Sequence, residues 1–333
     1  MASDDHAVVV GITRYPGLNT LEGPERDANA FRDWLVRPQG GAVLPDHVQL
    51  ILSSNYTAAA RVTDEHPEPA DVVRALEHLM DAGEQLGGRA GRRLYLYLAG
   101  HGFSPGTSVH DAALLMANAV LRRPRNVPGR PIVEHLKAGA YFDEVVLVMD
   151  CCRDSYPSAH HEMPTWEPKV RPEGALVRYL YAFATQWSRK AREGPVAQDG
   201  FHRGYFTSAL LDVLGGGRMS GTKLKKIVIN HFKERFTDAG RQEPEILVDD
   251  QRDLVFNEAA PDARFPVRVT FRDPQEHVDV QLRNDKFQVV TTFHVPDGPW
   301  DLQLEPGLWE VRIPGTRREC TFEVNGVERH VSF

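Results

Sequence analysis

The chain is poor in cysteine. Its 333 residues hold three, Cys151, Cys152 and Cys320, two of them adjacent, which is too few for a disulfide framework. That scarcity implies a reducing, cytoplasmic setting. No apolar run approaches the ~20 residues that a membrane helix needs, so no membrane partner is expected. The opening residues Met1 to His6 carry neither the basic segment nor the apolar segment of a secretory leader, and none is expected. A basic excess is missing too. Lys and Arg number 39 against 46 Asp and Glu, a net charge of −7, which excludes a general nucleic-acid binder. There is no internal repeat and no low-complexity tract. What remains is ordinary for a globular chain, with 41% hydrophobic and 26% charged residues. The length permits two domains and a core that needs no staples.

Apolar patterning divides the chain in two. Residues 6–12 read as a short buried strand, followed by helical spacing from Glu25 to Val36 that stops before Pro38. His47 to Leu52 is a second strand, Ala70 to Leu86 an amphipathic helix, and Arg93 to Leu98 a third strand. Ala112 to Met116 suits a small hairpin strand, Pro131 to Ala138 a helix, and Glu144 to Met149 a fourth core strand ending at Asp150. Leu180 to Ala184 and Glu245 to Val248 complete the strands, with helices at Phe206 to Leu214 and Leu224 to Phe236. Strands alternating with helices indicate an α/β fold with a doubly wound, mainly parallel sheet. Two connections stand out. Residues 153–177 hold Pro157, Pro164, Pro168 and Pro172, which suggests a long mobile loop, and residues 186–204 form a second, charged loop.

From Phe265 onward the period becomes two. Val267–Arg272, Val278–Leu282, Phe287–Val295, Leu308–Ile313 and Cys320–Val324 alternate in strand fashion, separated by turn signals at Pro296 to Pro299 and Pro314-Gly315. A small antiparallel, sandwich-like all-β domain over residues 265–333 is expected, joined to a first domain of residues 1–257 by a linker at 258–264.

Two strand ends carry chemistry. One strand stops at Gly100-His101-Gly102 and the next main strand at Asp150-Cys151-Cys152-Arg153. In a parallel sheet both carboxyl ends lie on one edge, where ligand sites of α/β folds form. A thiolate is a nucleophile, and an imidazole beside it both helps to generate it and protonates a leaving amine. The small residues around His101 let a substrate backbone approach, and the amides of Gly102 and Cys152 can face a developing oxyanion. Cys151 should point to the opposite sheet face from Cys152, and Cys320 belongs to the β-domain core. His160-His161-Glu162 lacks ligand spacing, so no metal site is assigned.

These residues resemble the caspase-like cysteine peptidases, in particular metacaspases and their bacterial relatives. Tyr97 to Gly102 is similar to the family's strand-plus-His-Gly motif, and Asp150-Cys151-Cys152 to its Asp-x-Cys motif. The His-to-Cys offset of 51 residues agrees with the ~50 of caspases. Val9 to Ile12, Leu21 to Ala28, Ala182 to Gln186 and Gly204 to Leu211 extend the likeness over about residues 6–250. The resemblance implies a caspase-like sheet, His101 as general acid/base and Cys152 as nucleophile. It also implies Asp27 and Asp150 as acids lining the S1 pocket. Two carboxylates there suit Arg or Lys at P1. Arg153-Asp154-Ser155 departs from the metacaspase His-Ser-Gly, with Arg153 nearer the caspase Cys-Arg-Gly pattern. An Asp at 154 bears on backbone geometry beside the nucleophile. Many metacaspases require calcium. No acid cluster for it can be placed here, and no cofactor is assigned.

Protein substrates follow from this reading, cut at few sites in a regulated signalling or defence cascade. Lys169, Arg189, Lys190 and Arg192 in the two loops are candidate self-processing positions. The β domain is a candidate carbohydrate-binding, docking or autoinhibitory module, the docked partner being an activating protease or regulatory protein. The competing expectation is a catalytically silent or zymogen-locked scaffold that binds partners through that domain.

Overall fold

Two nine-residue strands, Gly91–Ala99 and Phe142–Asp150, run through the central sheet, and seven residues of each are buried without interruption. Such runs arise where helices cover both faces of a parallel sheet. The computed structural model describes residues 4–105, 111–156, 159–167, 169–196, 200–249, 251–272, 278–295 and 298–333. Pro157, Pro168, Pro296 and Asp297, used above as loop and turn signals, lie outside them.

In chain order the first part comprises β1 (Asp5–Gly11), α1 (Pro24–Val36), β2 (Val48–Leu52), α2 (Pro69–Gln85) and β3 (Gly91–Ala99). A three-stranded flap follows, β4 (Gly102–Phe103), β5 (Ala113–Leu115) and β6 (Asn126–Pro128), then α3 (Gly129–Ala138), β7 (Phe142–Asp150) and β8 (Arg178–Phe183). Next come β9 (Glu193–Pro195), β10 (His202–Gly204), α4 (Tyr205–Leu214), β11 (Met219–Ser220), α5 (Gly221–Arg235), β12 (Glu245–Val248) and β13 (Val255–Phe256). Both α1 and α2 open on a proline, whose fixed φ and missing amide suit the first helical turn.

The six-stranded sheet has the order β12-β8-β7-β3-β1-β2, parallel throughout except for β12. This is the doubly wound, mainly parallel sheet expected. Alternation splits the core. Tyr95, Tyr97, Val146 and Val148 face α1, α4 and α5, while Leu94, Leu96, Leu98 and Leu147 face α2 and α3. Cys151 belongs to the second cluster, on the opposite face from the site, as its place beside Cys152 implies.

The amino ends of the strands hold a charge network. The buried Arg93 pairs with buried Glu144, donates 2.9 Å bonds to Tyr95 Oη and Val255 O, and lies over the Phe256 ring. Arg178 also pairs with Glu144. Arg92 clasps buried Asp5 at 2.7 Å and Glu258 at 2.6 Å.

The β domain contains β14 (Phe265–Thr270), β15 (Val278–Arg283), β16 (Val289–Val295), β17 (Trp300–Leu304), β18 (Gly307–Arg312), β19 (Glu319–Val324) and β20 (Arg329–Ser332). They form two sheets, β17-β14-β20 and β16-β15-β18-β19. Strands β17 and β20 are additional to those read from alternation, and β14–β20 is parallel, so the domain is not wholly antiparallel. Both escaped because short, largely exposed strands carry little apolar alternation.

Three connections differ from expectation. Segment 258–264 is strapped down by Glu258 on Arg92 and by Asp262 on Arg218 at 3.3 Å. The domains it joins share one hydrophobic core, where Phe265, Val267 and Val324 continue the cluster of Leu224 and Ile227. The described part of 153–177 is anchored rather than loose. Trp166 donates to Glu77 at 2.9 Å, Lys169 pairs with Glu84, and the Arg171 amide reaches Ala138 O at 2.9 Å. The 186–204 loop contains the hairpin β9–β10.

Candidate active site

Gly91–Ala99 and Phe142–Asp150 pair in parallel with Ala99 opposite Asp150, so the two motifs leave the sheet side by side. The Gly100 amide donates to Asp150 O at 3.2 Å, locking the two strand ends together. Gly100 has φ +153, and a Cβ there would collide with the Tyr15 hydroxyl. His101, Gly102, Cys152, Asp27 and Asp150 line one cavity of about 420 Å³. Lys190 and Arg192 line it as well. Lys169 and Arg189 are not among its lining residues.

His101 is held from both sides. Its amide donates to Tyr15 Oη at 3.0 Å, the rings lie 4.7 Å apart, and the Tyr15 hydroxyl donates to Leu115 O at 3.0 Å. Its Nε2 lies 2.6 Å from Asn19 O. A carbonyl only accepts, so Nε2 carries hydrogen and Nδ1 is left as the basic nitrogen. The Asn19 carbonyl thus orients the imidazole. No side-chain motif announces a backbone acceptor, and sequence reasoning missed it.

Cys152 is partly buried, with Sγ donating to Ala191 O at 3.6 Å. Burial pushes its thiol up to about 11, with the carboxylates of Asp154 and Asp150 adding to the rise and Lys190 opposing it. The site therefore holds a neutral thiol when empty. Gly102 packs against the same turn. A Cβ there would lie 2.5 Å from Cys151 Sγ and 2.8 Å from Cys152 O, so only glycine allows this approach. Arg153 is buried, donates to Thr185 O at 2.9 Å, pairs with Glu245 and covers the Phe183 ring. Its backbone exchanges bonds with the second loop, Arg153 N to Arg189 O at 2.9 Å and Ser188 N to Arg153 O at 3.0 Å. This holds the loop as a wall of the cleft.

Asp27 and Asp150 are 2% and 8% exposed; Asp27 stands in the first turn of α1 and the Asp150 carboxylate meets the first turn of α4, where negative charge is favoured. Asp27 Oδ2 accepts from Gly204 N at 2.6 Å. Asp150 Oδ2 accepts from the Thr207 amide at 3.1 Å and its hydroxyl at 2.6 Å. Asp27 Oδ1 is buried without a hydrogen-bond partner among the described residues. Burial and the Asp150 charge push Asp27 well above the usual carboxylate range, although nearby Arg203 opposes this. Burial raises Asp150 to about 6.

A third acid, Glu193, lines the same cavity and accepts from the amides of Glu22 and Gly23 at 3.1 and 2.9 Å. Gly204 lies between the acids, where a Cβ would fall 3.1 Å from Asp27 Oδ2 and on Asp150 Oδ2. Sequence reasoning assigned neither residue. The Gly204-Tyr-Phe-Thr207 stretch was the available signal.

Among the described residues no group of three or more His, Cys, Asp or Glu side chains is placed to hold a metal. No helix among the described residues is long and apolar enough to cross a membrane.

No family model matches the chain. A curated relative, a probable protease from a Desulfuromonadales bacterium, is 29% identical over 223 residues. The match takes in 63% of this chain and 26% of the relative, so the chain spans about a quarter of that protein's length. Among solved structures, a Geobacter sulfurreducens protein is 15% identical with a TM-score of 0.47, over 74% of this chain and 93% of that one. Caspase-1 from Spodoptera frugiperda is 13% identical with a TM-score of 0.45, over 74% and 86%.

Proposed function

We propose that this chain is a caspase-like cysteine endopeptidase that cuts proteins after Arg or Lys. The observation that carries the reading is the shared cavity. Cys152 and His101 stand at neighbouring strand ends beside two buried carboxylates, and one carboxylate oxygen has no partner among the described residues. Such an oxygen is costly unless a cation completes it, and a guanidinium fits two carboxylates through paired N–H donors.

His101 Nδ1 takes the thiol proton as Cys152 Sγ attacks the scissile carbonyl carbon. The resulting oxyanion is held by the amides of Gly102 and Cys152. As the C–N bond breaks, the imidazolium returns its proton to the leaving amine, leaving a thioester on Cys152. Water then attacks the thioester, His101 taking its proton and returning one to sulfur, and the carboxylic product departs. Since the resting thiol is held up to about 11, substrate must displace the Ala191 contact and bring thiol and imidazole together. The same contact favours a second reading, a locked zymogen or silent scaffold.

The cytoplasmic setting follows from the scarcity of cysteine, and the signalling or defence cascade from resemblance alone. Lys169, Arg189, Lys190 and Arg192 remain candidate self-processing positions. Of these, Lys190 and Arg192 flank Ala191, whose carbonyl meets the thiol.

Fluorogenic peptides varied at P1 test the reading, with and without calcium. Wild type should hydrolyse P1 Arg and Lys, and Cys152→Ala should lose at least ~10³-fold in kcat/KM while its melting temperature holds. Preference for P1 Asp sinks the specificity, and no turnover under any condition supports the locked scaffold. Intact bands on a gel after incubation of wild type, matching those of Cys152→Ala, end the self-processing idea.

A further inference from the structure

Asp154 lines the active-site cavity two residues beyond the nucleophile, and the machinery described above leaves its carboxylate without a task. Its backbone is fixed on the flap side of the cleft, where Asp154 O accepts from Ser104 N at 2.9 Å and Ser155 bridges Ser104. Asp27, Asp150 and Gly204 gather on the other side of Cys152, around the starts of α1 and α4. The sulfur thus stands between two acidic regions. A peptide that seats its P1 cation among the first acids passes its leaving-group half over Cys152 toward the flap.

Among the described residues the Asp154 carboxylate has no hydrogen-bond or ion-pair partner, yet its charge is felt at the sulfur, where it helps to hold the thiol up. Lys190, exposed on the loop wall, opposes it there without forming a salt bridge. An unpaired acid beside the reacting atom both penalises the thiolate and offers a place for a substrate cation. One group relieves both conditions, a positive side chain on the residue that follows the scissile bond.

We propose that Asp154 is a specificity-determining residue for the leaving-group side, selecting Lys or Arg at P1′. This rests on the peptidase reading above. With the P1 acids it makes a dibasic pair the favoured cleavage sequence. Binding of a P1′ cation also offsets the negative charge beside Cys152, so the preferred substrate helps to form the thiolate that attacks it.

The test holds P1 as Arg and sets P1′ to Lys, Ala or Glu in otherwise identical quenched peptides. Wild type should favour P1′ Lys over Glu by about tenfold in kcat/KM, and Asp154→Asn should bring that ratio close to one. Equal rates for the three peptides in wild type, or a preference that survives Asp154→Asn, overturn the proposal.

A second measurement needs no turnover. In a Cys320→Ser background, Cys152 is modified with cationic and anionic methanethiosulfonate reagents of similar size. The cationic-to-anionic rate ratio should fall about tenfold in Asp154→Asn. Asp150 and Lys190 act on the sulfur equally in both proteins, so they cancel from the comparison. An unchanged ratio overturns the proposal. Absence of all peptide cleavage overturns the peptidase reading instead and leaves Asp154 to be decided by the reagents.

Discussion

The two ends of the central sheet both bury carboxylates and treat them in opposite ways. At the amino ends Glu144 is matched by Arg93 and Arg178, and Asp5 by Arg92. At the carboxyl ends Asp27 and Asp150 rest on amides and a hydroxyl, and among the described residues neither has an ion-pair partner. The first arrangement is internally complete and acts as a clamp between β1, β3, β7 and the strap to the β domain. The second is one cation short. A buried charge left unpaired costs stability, and a site that tolerates the cost is poised for a ligand that removes it.

Breaking the clamp should give the largest effect. Glu144→Ala leaves Arg93 buried without its carboxylate and should cost about 3–5 kcal/mol in urea unfolding, with the activity of the folded fraction unchanged. A loss below 1 kcal/mol would mean that the two ends do not differ in this way.

At the other end the sign reverses. Asp27→Asn should lower kcat/KM for P1 Arg peptides by about 100-fold without destabilising the fold, because the amide removes a charge that folding had to bury. A fall in melting temperature at pH 8 would contradict this.

Asp150 adds a pH dependence. Its folded value of about 6 lies above the unfolded value, so its contribution to stability is full at low pH and is lost as pH rises through about 6. Relative to wild type, Asp150→Asn should therefore gain roughly 2–4 °C in melting temperature between pH 5 and 8. Over the same interval wild type should bind P1 Arg more tightly as Asp150 ionises, visible as a falling KM.

The smallest effect belongs to the exposed Lys226–Glu323 pair between α5 and the β domain. Lys226→Ala should cost less than about 0.5 kcal/mol, since solvent screens such pairs. Gly326, which sits at φ +98 against Ile227, is the more sensitive point of that junction.

Much of this was legible beforehand. Six strands and five helices of the first domain fall where apolar periodicity put them, because a sheet covered on both faces demands unbroken apolar runs. The strand ends that precede His101 and Cys152 were legible because a polar residue after such a run marks a strand end. Asn19 and Glu193 were not. Asn19 acts through its backbone, which every residue has, and Glu193 lies in a hairpin too short to show alternation. The clamp was equally hidden. Arg93 and Glu144 look like ordinary charged residues at strand starts, and only the parallel register that sets them opposite each other makes them a pair.

By itself, then, the sequence determined which segments are buried, where the strands end and which reactive side chains stand there, since these follow from local periodicity and residue chemistry. Tertiary structure alone decided which carboxylates meet a cation and which do not, how the imidazole is turned, and that the strap and β domain share the core of the sheet. Those depend on contacts between residues 34 to 177 positions apart, and no local pattern encodes distance in space.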